Sequence, residues 1–251
     1  MTQDQGSPHD QPTVCLITGS TRGLGRAVAE ELARRGILVI VTGRDPDAVA
    51  QSSAEIAEVG SVWALPGSLD VADRAGVETA ATLVADRFGK LDILINNAAA
   101  FVDWSESASA ADLDRSHEVM DTNLYGPWNM IQRFLPLLSK SAHPRVVNIG
   151  SGGGSFGDLK FGLTARHGAA ASYGVSKAAL HGLTATFAAE LAESPIIINT
   201  VDPDLTATWP GAESIGARPV ADSVPGIIWA ATLPDDGPRG GFYRDGQPHP
   251  W

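Results

Sequence analysis

A glycine-rich turn lies between an apolar strand and an amphipathic helix near the start of the chain. The apolar run over residues 13–18 predicts a buried strand. The segment 24–35 repeats apolar residues at a spacing of four, which predicts a helix packed along one face. Three glycines lie at the junction of the two segments: Gly19, Gly23 and Gly25. A second apolar run over 37–42 completes a βαβ unit, which is typical of a parallel sheet covered by helices.

The same alternation continues along the rest of the chain. Further strands are predicted over residues 61–65, 91–95, 145–149, 196–201 and, as a short seventh strand, 241–243. Helices are predicted from residue 45 onward, over 73–88, over 110–139 with a bend near Gly126–Pro127, and from Tyr173 to about residue 193. The composition does not change along the chain. We therefore predict one domain over residues 13–251, a doubly wound parallel sheet of about seven strands with helices on both faces, after a disordered polar tail over residues 1–12.

Composition limits the possible partners and location. The formal net charge of −11 argues against nucleic acid and against an anionic membrane surface as partners. Cys15 is the single cysteine, so no disulfide can form within the chain, and no run of 18 apolar residues predicts a membrane span. The histidines show no metal-ligand spacing, so no metal site is expected. We predict a cytoplasmic protein.

Three polar side chains are predicted to meet at the end of the strand over 145–149. Ser151 follows this strand, at the carboxyl edge of the sheet. Tyr173 and Lys177 lie four residues apart, so they share one face of a helix. Each has an ordinary alternative, because the pair could lie on a helix surface and Ser151 could be a turn residue. Together, a hydroxyl, a phenol and an ammonium group indicate acid–base chemistry.

Four motifs in order resemble those of the classical short-chain dehydrogenase/reductase family. They are TGSTRGLG at 18–25, NNAA at 96–99, Asn123 in DTNLYG, and Ser151 with Tyr173-x-x-x-Lys177. The similarity extends from about Val14 to Trp251 and is greatest to carbonyl-reductase-like members. It implies a Rossmann-type fold with strand order 3-2-1-4-5-6-7, and catalysis by Asn123, Ser151, Tyr173 and Lys177.

The resemblance also implies a dinucleotide site. Its predicted contacts are Gly19, Ser20, Arg22, Gly23, Leu24, Gly25, Arg44, Asp70, Val71, Asn97, Tyr173, Lys177 and Thr208. Gly43 and Arg44 stand where an NAD enzyme usually has a carboxylate, and the Arg22–Arg44 pair favours NADP(H) over NAD(H) because guanidinium groups match a 2′-phosphate. Alternatively, Asp45 serves as the acid and Arg44 points to solvent. Asp70 could be a turn or cap residue.

In the family mechanism, Tyr173 exchanges a proton with the carbonyl oxygen and Ser151 stabilises that oxygen. Lys177 is expected to lower the pKa of Tyr173 and to reach the nicotinamide ribose. Asn123 is expected to hold a water that links Lys177 to solvent; alternatively it is an ordinary asparagine at a helix bend.

The chain departs from the family pattern on the substrate side. Asp204 stands where a glycine is expected, which leaves the substrate class open. Thr208 is the better match to the threonine that contacts the carboxamide, with Thr206 as the alternative. Tyr173 lies 22 positions after Ser151, so the segment 158–170 is predicted to be an insertion at the active site. Aromatic candidates for the substrate pocket are Phe101, Trp104, Phe156, Phe161 and Trp209.

These observations predict an NADP(H)-dependent oxidoreductase that reduces a ketone or aldehyde, or catalyses the reverse reaction. Within enzymes, the alternative is a dehydratase or epimerase with the same fold. Outside enzymes, it is a non-catalytic dinucleotide-binding regulator, which has no need for the proton-transfer residues. The expected partner is a small-molecule carbonyl or alcohol. The resemblance also implies a homodimer or homotetramer; the alternative is a monomer, as in carbonyl-reductase-like members with long insertions.

Overall fold

The computed structural model describes residues 12–251, so the predicted tail lies almost wholly outside the described residues. Eight strands are present: β1 (Val14–Ile17), β2 (Leu38–Val41), β3 (Val62–Ala64), β4 (Ile93–Asn96), β5 (Arg145–Ile149), β6 (Ile197–Asp202), β7 (Phe242–Arg244) and β8 (Gln247–Pro248). They form one sheet in the order β3-β2-β1-β4-β5-β6-β7-β8. The order implied by the resemblance is confirmed for seven parallel strands. The eighth, antiparallel to β7, was not predicted.

Helices cover both faces of the sheet. They are α1 (Gly23–Arg34), α2 (Pro46–Ile56), α3 (Arg74–Phe88), α4 (Leu113–Met120), α5 (Gly126–Leu138), α6 (Ala171–Glu190) and α7 (Val220–Ala231). Alternate residues of β1 point to opposite faces, as the pleat of a strand requires. Val14 and Leu16 pack in one core with α3, α5 and α6. Cys15 and Ile17 pack in the other with α1, α2 and α7. The doubly wound prediction is therefore confirmed.

The long helix predicted over 110–139 differs from the observed one in two respects. It begins at Leu113, because the Asp112 carboxylate caps its first turn by accepting from the backbone N–H groups of Asp114 and Arg115. It also contains a π-helical segment, Asp121–Tyr125, where the Gly126 N–H bonds to the carbonyl of Asp121. Pro127 has no N–H to continue the regular ladder. Such widened turns occur often at functional sites, and this one carries Asn123.

Helix α7 was missed by the sequence analysis. Its interior contains Pro225 and Gly226, which are helix-breaking signals in a sequence. The helix forms because Val224, Ile227 and Ile228 are buried in the core on the α1 side of the sheet. Burial of this apolar face outweighs the unfavourable propensity of the two residues.

None of the helices within residues 12–251 combines the length and apolar character that a transmembrane helix needs. The cytoplasmic location stays a prediction.

Candidate active site

The turn between β1 and α1 needs its glycines for two reasons. Gly19 and Gly23 have positive φ angles of 66° and 56°, a left-handed conformation that glycine adopts without steric cost. Gly25 has no room for a side chain. A Cβ atom there would lie 2.5 Å from the carbonyl oxygen of Gly19 and would also clash with the amide of Asn97. The helix can therefore start close against the end of the strand.

The side chains of Ser20 and Asn97 hold this turn in place through hydrogen bonds to the backbone. The Ser20 hydroxyl donates to the carbonyl of Ile17 and accepts from the Thr42 N–H, both at 3.0 Å. The Asn97 amide donates to the carbonyls of Thr18 and Gly19 at 2.9 and 3.0 Å. The Ser20 side chain is fully buried and supports the turn, so its predicted contact with the cofactor would come from the backbone.

The start of α1 fits an anionic diphosphate. Arg22 precedes the helix in an extended conformation, no side chain caps the helix, and no acidic residue lies in its first turn. The N–H groups at a helix start have no partner within the helix and carry a partial positive charge. A phosphate group accepts hydrogen bonds from such N–H groups, and its negative charge is stabilised by the positive helix end. The side chain of Leu24 is buried in the core, so its predicted contact would come from the backbone.

The loop after β6 lies close to this turn. The methyl group of Thr208 lies 3.6 Å from the position a Cβ on Gly23 would take, and Thr208 is exposed. Thr206 is buried, and its hydroxyl lies 2.7 Å from that of Ser223. The geometry thus favours Thr208 over Thr206 as the threonine facing the dinucleotide site. Asp204 has a positive φ of 59°, a conformation that favours glycine, which explains why the family has a glycine at this position. Its carboxylate accepts a hydrogen bond from the Leu205 N–H.

Ser151, Tyr173 and Lys177 come together at the end of β5. The Ser151 hydroxyl and the Tyr173 ring both lie against Gly153, and the Lys177 ammonium group donates to the carbonyl of Ile149 at 2.8 Å. Lys177 is only 2% exposed, and its Nζ lies 5.7 Å from the centre of the Tyr173 ring. The backbone N–H of Ser151 lies 3.4 Å from Nε2 of His181.

Burial dominates the protonation of these groups. It raises the pKa of Tyr173 well above 10; the bond with Ser151 lowers it in part, and the charge of Asp202 raises it further. Burial lowers the pKa of Lys177 to about 8, against the opposing effect of Asp202. The net effect of these surroundings keeps the phenol protonated, and the expected lowering of its pKa by Lys177 stays a prediction. Burial also lowers the pKa of His181 to about 3, so its ring is neutral at physiological pH.

Asn123 positions the catalytic helix through Ser176, which the sequence analysis missed. The Asn123 amide donates to the carbonyl of Ala100 at 2.9 Å and to the Ser176 hydroxyl at 3.0 Å, and its oxygen accepts from the Ala100 N–H. The Ser176 hydroxyl donates in turn to the carbonyl of Tyr173. Both amide protons of Asn123 are thus used within the protein. These contacts give the side chain a positioning role, and its expected part in holding a water stays a prediction.

A model of the family described as short chain dehydrogenase matches residues 13–215. The chain belongs to the short-chain dehydrogenase family. A 3-oxoacyl-[acyl-carrier-protein] reductase of rhamnolipid biosynthesis from Pseudomonas aeruginosa is 33% identical over 194 residues, which cover 76% of this chain and 71% of that protein. A D-beta-hydroxybutyrate dehydrogenase from Rhizobium meliloti is also 33% identical, over 77% of this chain and 71% of its own. Among solved structures, the NADPH-bound carbonyl reductase from chicken fatty liver has a TM-score of 0.80 at 24% identity, covering 96% of this chain and all of that one, which shows a shared fold.

As an oxidoreductase of the short-chain dehydrogenase family, the chain binds a nicotinamide dinucleotide. The residues predicted to contact the adenosine half of this dinucleotide lie along the carboxyl edge of the sheet. Arg22 and Arg44 are both exposed. The Asp45 carboxylate caps α2 by accepting from the N–H groups of Asp47 and Ala48. Asp70 forms a turn by accepting from the Ala72 N–H, and Val71 packs closely against Gly126.

A buried ionic cluster behind Ser151 was not foreseen. Arg244, on β7, binds the carboxylates of Asp202 and Asp158 at 2.5 and 2.9 Å, and Asp158 also contacts His249 at 3.1 Å. Asp202 accepts in addition from the Gly152 N–H at 2.9 Å, next to Ser151. The cluster thereby ties the loop after β5 to the end of the chain. Asp158, Asp202 and His249 are close enough to hold a metal, but Arg244 already pairs with both carboxylates.

The predicted insertion, 158–170, begins at this cluster and leads back to α6. The carbonyl of Phe161 lies close to Gly153, and the side chain of Leu163 lies close to Gly174, the residue after Tyr173. Phe156, in contrast, is 72% exposed and belongs to no aromatic pair among the described residues. Its predicted place in the substrate pocket is not supported by the geometry.

Proposed function

We propose that this protein is an NADP(H)-dependent oxidoreductase that reduces a ketone or aldehyde to an alcohol, or catalyses the reverse. The observation that carries the proposal is the placement of the Ser151 hydroxyl and the Tyr173 ring together against Gly153, beside the buried Lys177. A site built only to bind a dinucleotide has no need for a phenol and a hydroxyl side by side at the sheet edge. When bound, the nicotinamide supplies or accepts the hydride.

Each group has a distinct task in this proposal. Tyr173, kept protonated by its raised pKa, donates its phenolic proton to the carbonyl oxygen as the alcohol forms. The Ser151 hydroxyl donates a hydrogen bond to the same oxygen while negative charge develops there. The Lys177 ammonium group stabilises the tyrosinate that remains, and Asn123 and Ser176 hold the backbone of Tyr173 in place.

Two observations support NADP(H) over NAD(H). Arg22 and Arg44 present exposed guanidinium groups at the turn and just past β2. The Asp45 carboxylate, the alternative partner for a ribose hydroxyl, is engaged at the start of α2. A 2′-phosphate suits two guanidinium groups because it accepts charge-assisted hydrogen bonds.

Replacement of Arg44 by alanine is expected to weaken NADPH binding by about 10- to 100-fold, the effect of losing one or two charge-assisted hydrogen bonds. NADH binding should change by less than about twofold, since NADH has no 2′-phosphate. The measurement is titration of both nucleotides by calorimetry. Arg35→Ala, which removes an exposed arginine at the end of α1, controls for the loss of charge. Equal losses for both nucleotides would rule out the 2′-phosphate assignment.

Dehydration or epimerisation remains the alternative chemistry, and nothing in the site favours it over reduction. The homodimer or homotetramer stays a prediction.

A further inference from the structure

Three aromatic side chains from two loops lie over the catalytic tyrosine. We call Phe101, Trp104 and Trp209 the aromatic cover. The Phe101 ring is stacked on Tyr173, with centroids 5.2 Å apart and an angle of 18° between the planes. Trp104 meets Tyr173 edge-on at 5.9 Å. Trp104 and Trp209 are stacked with each other at 6.1 Å, so the cover joins the loop after β4 to the loop after β6.

The cover is not ordinary core packing. Phe101 is 48% exposed and Trp104 is 38% exposed, although both contact a buried catalytic residue. Aromatic faces left open to solvent beside a reactive hydroxyl offer stacking surface to an incoming molecule. The loop after β4 has no regular secondary structure between residues 97 and 112, so its rings can separate without breaking a helix or strand.

The charges of these two loops disfavour an anionic substrate. Between β4 and α4, the charged side chains are Asp103, Glu106 and Asp112, all acidic. The loop after β6 carries Asp204, Glu213 and Arg218. The last of these is paired with Asp245 at 2.8 Å. Arg115, on the neighbouring helix α4, donates to the carbonyl of Phe101 but is paired with Glu118. An anionic substrate would therefore meet repulsion here, with no unpaired cation on either loop to offset it.

We propose that the aromatic cover binds a flat, uncharged aromatic or cyclic carbonyl compound, with its ring against Phe101 and Trp104 and its carbonyl oxygen at the Tyr173 hydroxyl. The proposal rests on the function proposed above and narrows its substrate class. It sets this site apart from one suited to an anionic 3-oxo acid.

The first experiment compares two diketones that differ by one ring, 1-phenyl-1,2-propanedione and 2,3-butanedione. The protein is expected to show a kcat/KM at least about tenfold higher for the phenyl compound. This matches the binding free energy expected from one aromatic contact together with burial of the ring. Trp104→Ala should remove most of that preference through KM, with a clearly larger loss for the phenyl compound than for 2,3-butanedione. Trp104→Phe should restore it in part, because the ring face is kept.

The matched control is Trp128→Ala, which removes a tryptophan of similar exposure on α5 whose aromatic neighbour is Tyr125. It should leave both substrates unaffected. A second comparison, acetoacetate against its uncharged ethyl ester, tests the charge argument, and the ester should be preferred. Equal kcat/KM for the two diketones, or an equal loss of both in Trp104→Ala, would overturn the proposal.

A binding experiment separates this inference from the function on which it rests. In Tyr173→Phe, which keeps the ring but loses the hydroxyl, 1-phenyl-1,2-propanedione should quench tryptophan fluorescence on binding. Trp104→Ala in that background should weaken binding by about tenfold, and Trp128→Ala should not. Binding without turnover in the unaltered protein would refute the reductase and keep the aromatic site. Turnover of both diketones without ring preference would keep the reductase and refute the aromatic site.

Discussion

Tyr173→Phe is expected to lower kcat/KM for carbonyl reduction by about 10²- to 10⁴-fold, the usual contribution of a positioned proton donor. The hydroxyl is the group lost, while the ring that stacks on Phe101 at 5.2 Å remains. NADPH binding should therefore stay within about threefold of the unaltered protein, because Lys177 and the glycine turn are unchanged. The measurement is the loss of NADPH absorbance with carbonyl substrates, combined with a separate titration of NADPH.

Tyr125→Phe is the matched control, because Tyr125 is 54% exposed and its ring pairs with Trp128, not with Tyr173. It should retain full activity. Tyr173→Phe with more than about a tenth of the original kcat/KM would contradict the assignment of Tyr173 as the proton donor.

The pH dependence should report Lys177. Its pKa is lowered to about 8, so the side chain is charged below that pH and neutral above it. The positive charge stabilises the tyrosinate left after proton transfer. Reduction should therefore slow as the pH rises through about 8, well before the phenol itself ionises, since the pKa of Tyr173 is raised. A profile of kcat/KM from pH 6 to 10 tests this (a range chosen to span about two units on either side of 8). A rate that rises through the same interval would contradict it.

The largest effect on stability is expected from Arg244→Met. This change keeps the length of the side chain but leaves the carboxylates of Asp158 and Asp202 buried without their cation. Removal of one partner from such a buried cluster costs about 3–5 kcal/mol. For a chain of this size that corresponds to a fall in Tm of about 6–20 °C. Thermal unfolding and urea denaturation measure it.

The control for this variant is Arg239→Met. Arg239 is also an arginine near the end of the chain, but it is exposed and donates only to backbone carbonyls. Its loss should cost less than about 1 kcal/mol. Adding Asp158→Asn to Arg244→Met should recover part of the lost stability, because one unpaired buried charge is then removed. If the two arginine variants are equally stable, the cluster does not hold the end of the chain to the Ser151 loop.

Local patterns in the sequence were sufficient to predict the order of most strands and helices along the chain. β5 was predicted over 145–149 and is observed at Arg145–Ile149, because an apolar run bounded by polar residues has few other ways to be buried. Tyr173 and Lys177 share a face because they lie four apart in a helix, whatever surrounds them. The glycines of the first turn were also predictable from local sequence, because a positive φ angle or a close backbone contact in a short turn requires glycine.

Other features depend on residues far apart in the chain. Helix α7 forms across Pro225 and Gly226 because the sheet offers an apolar face to cover. The cluster of Asp158, Asp202 and Arg244 joins three separate elements. No periodicity in the sequence records such a pairing.

The sequence by itself determined the α/β alternation, the glycine turn and the presence of a serine, a tyrosine and a lysine at one sheet edge. Only the tertiary structure decided how these groups behave. The pKa of Tyr173 is raised and not lowered, because burial and Asp202 outweigh the effects that lower it. Phe101, Trp104 and Trp209 were candidates of equal standing with Phe156 and Phe161, and three-dimensional packing brings the first three into contact with one another. Burial and electrostatic fields are sums over neighbours that the fold brings together, so they are set by tertiary contacts and not by local sequence.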